Sequence, residues 1–151
     1  MILAGVLPPV FCDRERNFMY LENLREVCHT TVHRETRPGV GHHVTFTEEL
    51  YDSDGGLVAT SEGMAVVFGN PEDGSLMQLM TATEKFADGV ISWTGTVRQE
   101  NPAGREFAVN EFPVIGVSGR YAGKTGTRTL KFVERPDENT TIAEATLFME
   151  D

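Results

Sequence analysis

Seven clusters of turn-forming residues punctuate this chain at short, even intervals, and nothing else in it limits the fold so severely. They are Arg37-Pro-Gly-Val-Gly41, Asp52-Ser-Asp-Gly-Gly56, Gly69-Asn-Pro-Glu-Asp-Gly74, Ala87-Asp-Gly89, Asn101-Pro-Ala-Gly104, a glycine-rich stretch from Phe112 to Arg128, and Arg135-Pro-Asp-Glu-Asn139. Each combines residues that preset φ, accept positive φ or close a turn through a side chain. Between them lie eight runs of about eight to twelve residues, too short for a helical bundle and well matched to strands. His43 to Tyr51 sets Val44, Phe46, Glu48 and Leu50 against Thr45, Thr47, Glu49 and Tyr51; Val90 to Val97 sets Ile91, Trp93 and Val97 against Val90, Ser92, Thr94 and Thr96. This period of two marks strands with one buried face. In Asn17 to Cys28 the same alternation puts Phe18, Tyr20, Glu22, Leu24 and Glu26 on one face, although this run also reads as helix.

Eight such strands, joined by short turns and no amphipathic crossover helix, predict an all-β fold: an eight-stranded antiparallel β-barrel, which closes its own edges. A β-sandwich is the alternative. At 151 residues the chain forms a single domain over 1–151, with 1–16 a flexible or barrel-capping N-terminal segment. An eight-stranded barrel holds packed side chains or one small ligand.

Charge narrows the partners. A formal net charge of −10 argues against nucleic acid, which needs clustered Lys and Arg, and against anionic membrane surfaces. Ile2 to Val10 is apolar, but it is short, lacks a basic leader and contains Pro8-Pro9, so it reads neither as a span nor as a signal peptide. Cys12 and Cys28 read as reduced thiols, and the chain as cytoplasmic.

Catalytic motifs are missing. Gly116-Val-Ser-Gly119 only superficially resembles a nucleophile elbow, and the glycines near it lack the strand-helix context of a phosphate loop. His29 with His33, and His42 beside His43, do not converge as metal ligands need to, so no metal is expected. Glu48 and Glu49 project to opposite faces. What stands out is Arg128, which shares a strand face with Leu130 and Phe132. Either it points outward beside solvent-facing positions, or it is a polar anchor inside an apolar cavity with a carboxylate partner, Glu22 or Glu48. On the second reading Tyr20, Phe46, Met64, Val66, Leu79 (or Met77), Trp93, Leu130 and Phe132 supply the walls and bind substrate.

Glu49-Leu-Tyr-Asp, the Pro71-Glu-Asp-Gly turn, Asp88-Gly-Val-Ile and Gly116-Val-Ser-Gly-Arg-Tyr-x-Gly-x-Thr-Gly-x-Arg128 resemble segments of the small bacterial spirotetronate cyclases. These are natural Diels–Alderases built on an allene oxide cyclase-like barrel, and the similarity extends from about Phe18 to Phe148. The resemblance implies an eight-stranded barrel, a homodimer, and a polyketide enclosed in the lumen. It implies an intramolecular [4+2] cycloaddition of a linear, tetronate-bearing polyketide, carbocyclic or hetero-Diels–Alder, without a cofactor. It puts Arg128 on the family's interior arginine, Glu22 on its glutamate partner and Phe46 on an apolar cavity position. Leu130 departs from a cavity tryptophan, and the Leu79–Met80 region from a tyrosine. An apolar carrier of lipocalin type and a dirigent-like guide of a coupling reaction are the other functional readings.

Overall fold

A computed structural model describes residues 10–13, 18–33, 40–98 and 109–151. The strands are β1 (Val10–Asp13), β2 (Phe18–Val32), β3 (His43–Tyr51), β4 (Leu57–Gly69), β5 (Leu76–Phe86), β6 (Gly89–Arg98), β7 (Val109–Gly119), β8 (Thr125–Asp137) and β9 (Thr140–Glu150). Each pairs antiparallel with the next, and β9 returns to β2. Strands β2 to β9 therefore close the eight-stranded barrel that the turn spacing predicts. The ninth strand, β1, lies within the expected 1–16 segment; it continues the β2 edge ahead of β3, with Val10–Asp13 opposite Leu21–Phe18. The rest of that segment, the turn Asn101–Gly104 and most of the turn Arg37–Gly41 lie outside the described residues.

The turns that are described close as their residue types require. Asp52 Oδ1 accepts the N–H groups of Asp54 and Gly56, Asn70 Oδ1 accepts that of Glu72, and Asp73 Oδ1 accepts that of Ser75. The last turn is tighter than its Pro-containing sequence suggests. β8 runs on through Asp137, with two register shifts after Phe132, and only Glu138 and Asn139 connect it to β9.

One irregularity governs the interior. Between Leu21 and Leu24 the β2–β9 register shifts, and Asn23 adopts φ 57, the only positive φ among the described non-glycine residues. Asparagine tolerates this left-handed conformation better than most residues, and the bulge inserts one residue into the alternation. Met19 and Leu21 face inward before it; Leu24, Glu26 and Cys28 face inward after it. Tyr20 and Glu22 consequently lie on the opposite face from Leu24 and Glu26, which corrects the single face expected for this run.

The glycine-rich stretch closes one end of the barrel. β7 runs to Gly119, residues 120–124 turn, and β8 begins at Thr125. Tyr121 is buried there, its ring 5.3 Å from that of Phe86 and its hydroxyl donating to Asp88 Oδ1 at 3.0 Å. A Cβ on Gly116 would lie 1.6 Å from the Tyr121 carbonyl oxygen, and one on Gly126 would lie 1.7 Å from that of Phe148. Only glycine allows the chain to fold this tightly against its neighbours.

Candidate active site: a buried arginine among three glutamates

Register turns strand alternation into rows across the barrel wall. One inward row runs Cys28, Glu48, Ser61, Glu84, Ile91 over β2 to β6. Two residues further along each strand, away from the glycine-rich end, the next row runs Thr30, Phe46, Gly63, Ala82, Trp93. The first row carries two glutamates and a serine, and the second carries the aromatic rings of Phe46 and Trp93. Phe46 and Trp93 stack at 6.3 Å, and Phe112 from β7 lies 4.8 Å from Trp93 at a tilt.

Arg128 enters from the other side, on β8, and is fully buried. Its Nε donates to Glu84 Oε2 at 3.1 Å, and its Nη2 donates to Glu26 Oε2 at 2.5 Å. Nη2 also lies 3.1 Å from Glu84 Oε2 and 3.8 Å from Glu48 Oε1. The face of the guanidinium rests on Trp93, with Cζ 4.7 Å from the ring centroid, and the indole N–H donates to Glu84 Oε2 at 3.2 Å. The Ser61 hydroxyl donates to Glu48. Nη1 is buried and has no hydrogen-bond partner. Such orphan donors are uncommon in folded interiors and mark a place where an acceptor would be welcome.

Burial and crowding set the protonation of this cluster. Burial, then the charge of Glu26 and a hydrogen bond with it, hold the Glu48 carboxyl well above the usual carboxylate range, against the pull of Arg128. For Glu26, burial pushes the same way. There the Arg128 charge and hydrogen bonds from Glu48 and Arg128 outweigh it and bring the carboxyl below its ordinary value. Of the hydrogen-bonded pair, Glu48 is therefore the carboxyl that holds a proton more readily and Glu26 the one that ionises more readily. Burial opposes the charge on Arg128, but Glu84, Glu26 and Glu48 together push its pKa up. Burial and the neighbouring Glu48 and Glu26 push the Cys28 thiol up as well, so it remains a thiol rather than a nucleophilic thiolate.

The expected site residues divide by strand face. Arg128, Phe46, Trp93 and Leu130 are inward and buried, and Phe132 is half-buried against the same core. Glu22 is not the carboxylate that meets Arg128: beyond the bulge at Asn23 that position belongs to Glu26, and Glu22 instead interacts with Tyr20. Tyr20, Met64, Val66 and Leu79 are not lumen walls. Tyr20 precedes the bulge, while the others alternate outward from Ala65, Val67 and Met80; Met64 and Leu79 are 42 % and 40 % exposed. Met64 instead borders a groove of about 550 Å³ on the outside of β2 to β5, with His29, Thr45 and Thr81.

Glu84 and Glu26 complete the cluster, and the sequence reading does not single them out. Glu84 carries the same signal as Arg128, a charge in register with apolar residues, here Met80 and Ala82. Glu26 keeps the face it shares with Leu24, and the bulge before it removes Glu22 from that face. Among the described residues no group of three or more His, Cys, Asp or Glu is arranged to hold a metal ion.

The family model of the allene oxide cyclase barrel-like domain matches residues 26–143. Among solved structures, the Diels–Alderase AbmU from Streptomyces koyangensis superposes with a TM-score of 0.77 at 24 % identity, over 92 % of this chain and 70 % of that one. A structure described as a nonspecific heme-binding cyclase that catalyses [4+2] cycloaddition during neoabyssomicin biosynthesis matches equally well, at 0.77 and 25 % identity. This chain covers 66 % of it. The pterocarpan synthase dirigent protein GePTS1 is more distant, with a TM-score of 0.66 and 17 % identity over 89 % of this chain and 91 % of that one.

Proposed function

This chain belongs to the allene oxide cyclase barrel-like family, and from that premise we propose that it is a cyclase promoting an intramolecular [4+2] cycloaddition of a linear polyketide inside its barrel. The observation that carries the reading is Arg128: a fully buried guanidinium, held by carboxylates against an aromatic layer, whose Nη1 is left without an acceptor. The likeness to two structures described as a Diels–Alderase and a [4+2] cyclase supports the reaction class. The motif resemblance supports a tetronate as the dienophile-bearing ring.

The absent catalytic motifs fit this chemistry. A pericyclic [4+2] step forms two σ bonds at the expense of two π bonds and needs neither a nucleophile nor net proton transfer. The barrel contributes by holding a flexible chain in a near-attack conformer, an effect that reaches about 7–11 kcal/mol in favourable intramolecular systems. Phe46, Trp93, Phe112 and Leu130 shape the apolar surface, and Nη1 donates to a carbonyl oxygen that gains electron density in the transition state. On this reading no cofactor takes part.

The same reading makes the protein a homodimer in solution; the exposed side chains of Ile115 and Val117 offer apolar surface for it, and sedimentation would measure it. Among the described residues no helix is long and apolar enough to cross a membrane. The cyclase reading itself puts the protein in the cytoplasm.

Incubating purified protein with an acyclic tetronate polyene tests the proposal. Accelerated formation of one cycloadduct stereoisomer supports it; binding without acceleration would make the barrel a lipocalin-type carrier. The likeness to a dirigent protein favours a second reading, in which product forms only when an external oxidant starts the coupling.

A further inference from the structure

The lumen holds more acid than base. Glu26, Glu48 and Glu84 all lie within 4 Å of Arg128, and Arg128 is the only cation among the described buried residues. If every group were ionised, three carboxylates against one guanidinium would leave a charge of −2. With one proton kept between Glu26 and Glu48 the sum is still −1. Ser61, Cys28 and Trp93, the other polar groups beside them, bring no positive charge. Arg128 is therefore not a free cation waiting for a counter-ion. Its Nε and Nη2 are committed to carboxylates, and only Nη1 remains without a partner.

An anion docking on Nη1 would bring a second surplus negative charge into a dry interior, where like charges repel strongly. A neutral carbonyl oxygen would satisfy the same donor without changing the charge. Reactivity points the same way. Hydrogen bonding to a neutral carbonyl withdraws electrons from a conjugated dienophile and speeds addition of an electron-rich diene, whereas an enolate feeds electrons back and slows it.

We propose that this barrel selects its ligand in an uncharged form, presenting Arg128 Nη1 to a neutral carbonyl oxygen and discriminating against the enolate or carboxylate form of the same molecule. The inference rests on the cyclase reading for its choice of ligand. On that reading an acidic ring such as a tetronate reacts as its O-alkylated or protonated form. Glu26 and Glu84 then act as positioning residues that set the charge of the lumen.

The experiment uses a matched pair of unreactive probes: a tetronic acid with a saturated acyl chain, ionised at neutral pH, and its 4-O-methyl ether, which is neutral. Trp93 is the single tryptophan of the chain and sits against Arg128, so its fluorescence reads binding at the site directly. The ether should bind at least about tenfold more tightly than the acid, which corresponds to about 1.4 kcal/mol. Because an ether is also more apolar, Glu84→Gln and Glu26→Gln provide the decisive comparison: each removes a negative charge and should shrink the preference at least about fivefold. Equal or tighter binding of the acid, a preference unchanged in every folded Gln variant, or no Trp93 response to either probe would overturn the inference. Should one variant not fold, the other reads the effect, and the comparison in the unaltered protein stands by itself. A charge preference without cyclisation of the reactive polyene would sink the cyclase reading alone; cyclisation with tighter binding of the acid would sink this inference alone.

Discussion

Arg128 on β8 reaches past β9 to Glu26 on β2, bringing Nη2 to 2.5 Å from Oε2 of the carboxylate. On its other side Nε meets Glu84, on β5. One guanidinium thus ties together strands that are not ladder neighbours, through a polar layer that the barrel encloses. Its planar fork suits this role, because Nε and Nη2 serve two carboxylates while Nη1 stays available.

Removing that guanidinium should be costly. Arg128→Met keeps much of the volume but leaves ionised carboxylates facing one another without a counter-charge. Breaking a buried ion pair from one side typically costs about 3–5 kcal/mol. Arg128→Lys should recover part of the loss, since one ammonium cannot reach both Glu84 and Glu26 in the same geometry. Urea unfolding of the three proteins measures the order, and a Met variant as stable as the unaltered protein would show that the cluster is not charged as described.

Glu48 and Glu26 should pull stability in opposite directions with pH. Glu48 is raised in the folded state, so its contribution is fully present below the ordinary carboxyl value of 4.5 and is lost as pH rises toward its folded pKa. Glu26 is lowered, so its contribution is present above 4.5 and is lost as pH falls through its folded value. The cluster therefore stabilises the barrel most near the ordinary carboxyl value. Glu48→Gln cannot ionise and removes the alkaline limb. Above pH 4.5 the unaltered protein should lose stability relative to this variant by about 1.4 kcal/mol per pH unit, until Glu48 ionises. Parallel unfolding free energies across that range would contradict a protonated Glu48.

Much of this is legible in the residues, and the part that is not has a local cause. The turn clusters and the alternation in β3 and β6 identify inward Phe46, Glu48, Ile91 and Trp93 because period two survives along those strands. Arg128 is legible for the same reason. An unbroken alternation along β2 puts Glu22 and Glu26 on one face, but the bulge at Asn23 turns Glu22 away and leaves Glu26 to meet Arg128. Hydrophobicity alone assigns Met64, Val66 and Leu79 to the wall, whereas β4 and β5 put small residues (Ala59, Gly63, Ala65, Ala82) and one acid, Glu84, inside instead. Gly63 and Gly95 stand where the rings of Phe46 and Phe112 leave no space for a Cβ, at 2.6 and 2.5 Å. An apolar residue on a barrel strand therefore does not reveal its own facing.

Gly126 and Gly55 are glycines for two different reasons. Gly126→Ala would drive its Cβ to 1.7 Å from the Phe148 carbonyl oxygen, a contact with backbone that no rotamer relieves. This variant should fail to accumulate folded protein, or unfold many degrees lower. Gly55, in the β3–β4 turn, has φ +84, and a Cβ there would meet nothing within 4 Å. Gly55→Ala therefore suffers only the left-handed backbone cost of about 1 kcal/mol. Thermal unfolding of the pair separates close packing from backbone conformation.

Gly95 tests whether the aromatic layer shapes the reaction. Its Cβ would lie 2.5 Å from Phe112 Cδ1, and the three nearest atoms all belong to that one ring. Gly95→Ala should therefore move Phe112 from its seat against the wall and crowd Trp93, whose ring is 4.8 Å away. Overpacking of this kind costs about 1–3 kcal/mol, which leaves a stable barrel to assay. If the substrate packs on this layer, cycloaddition should slow and its stereoselectivity should fall, while Arg128 keeps its partners. Met64→Ala and Leu79→Ala, on the outer surface, should change stability by less than about 0.5 kcal/mol and leave turnover as it was. Slowed turnover in the outer variants, with none in Gly95→Ala, would move the reaction out of the lumen.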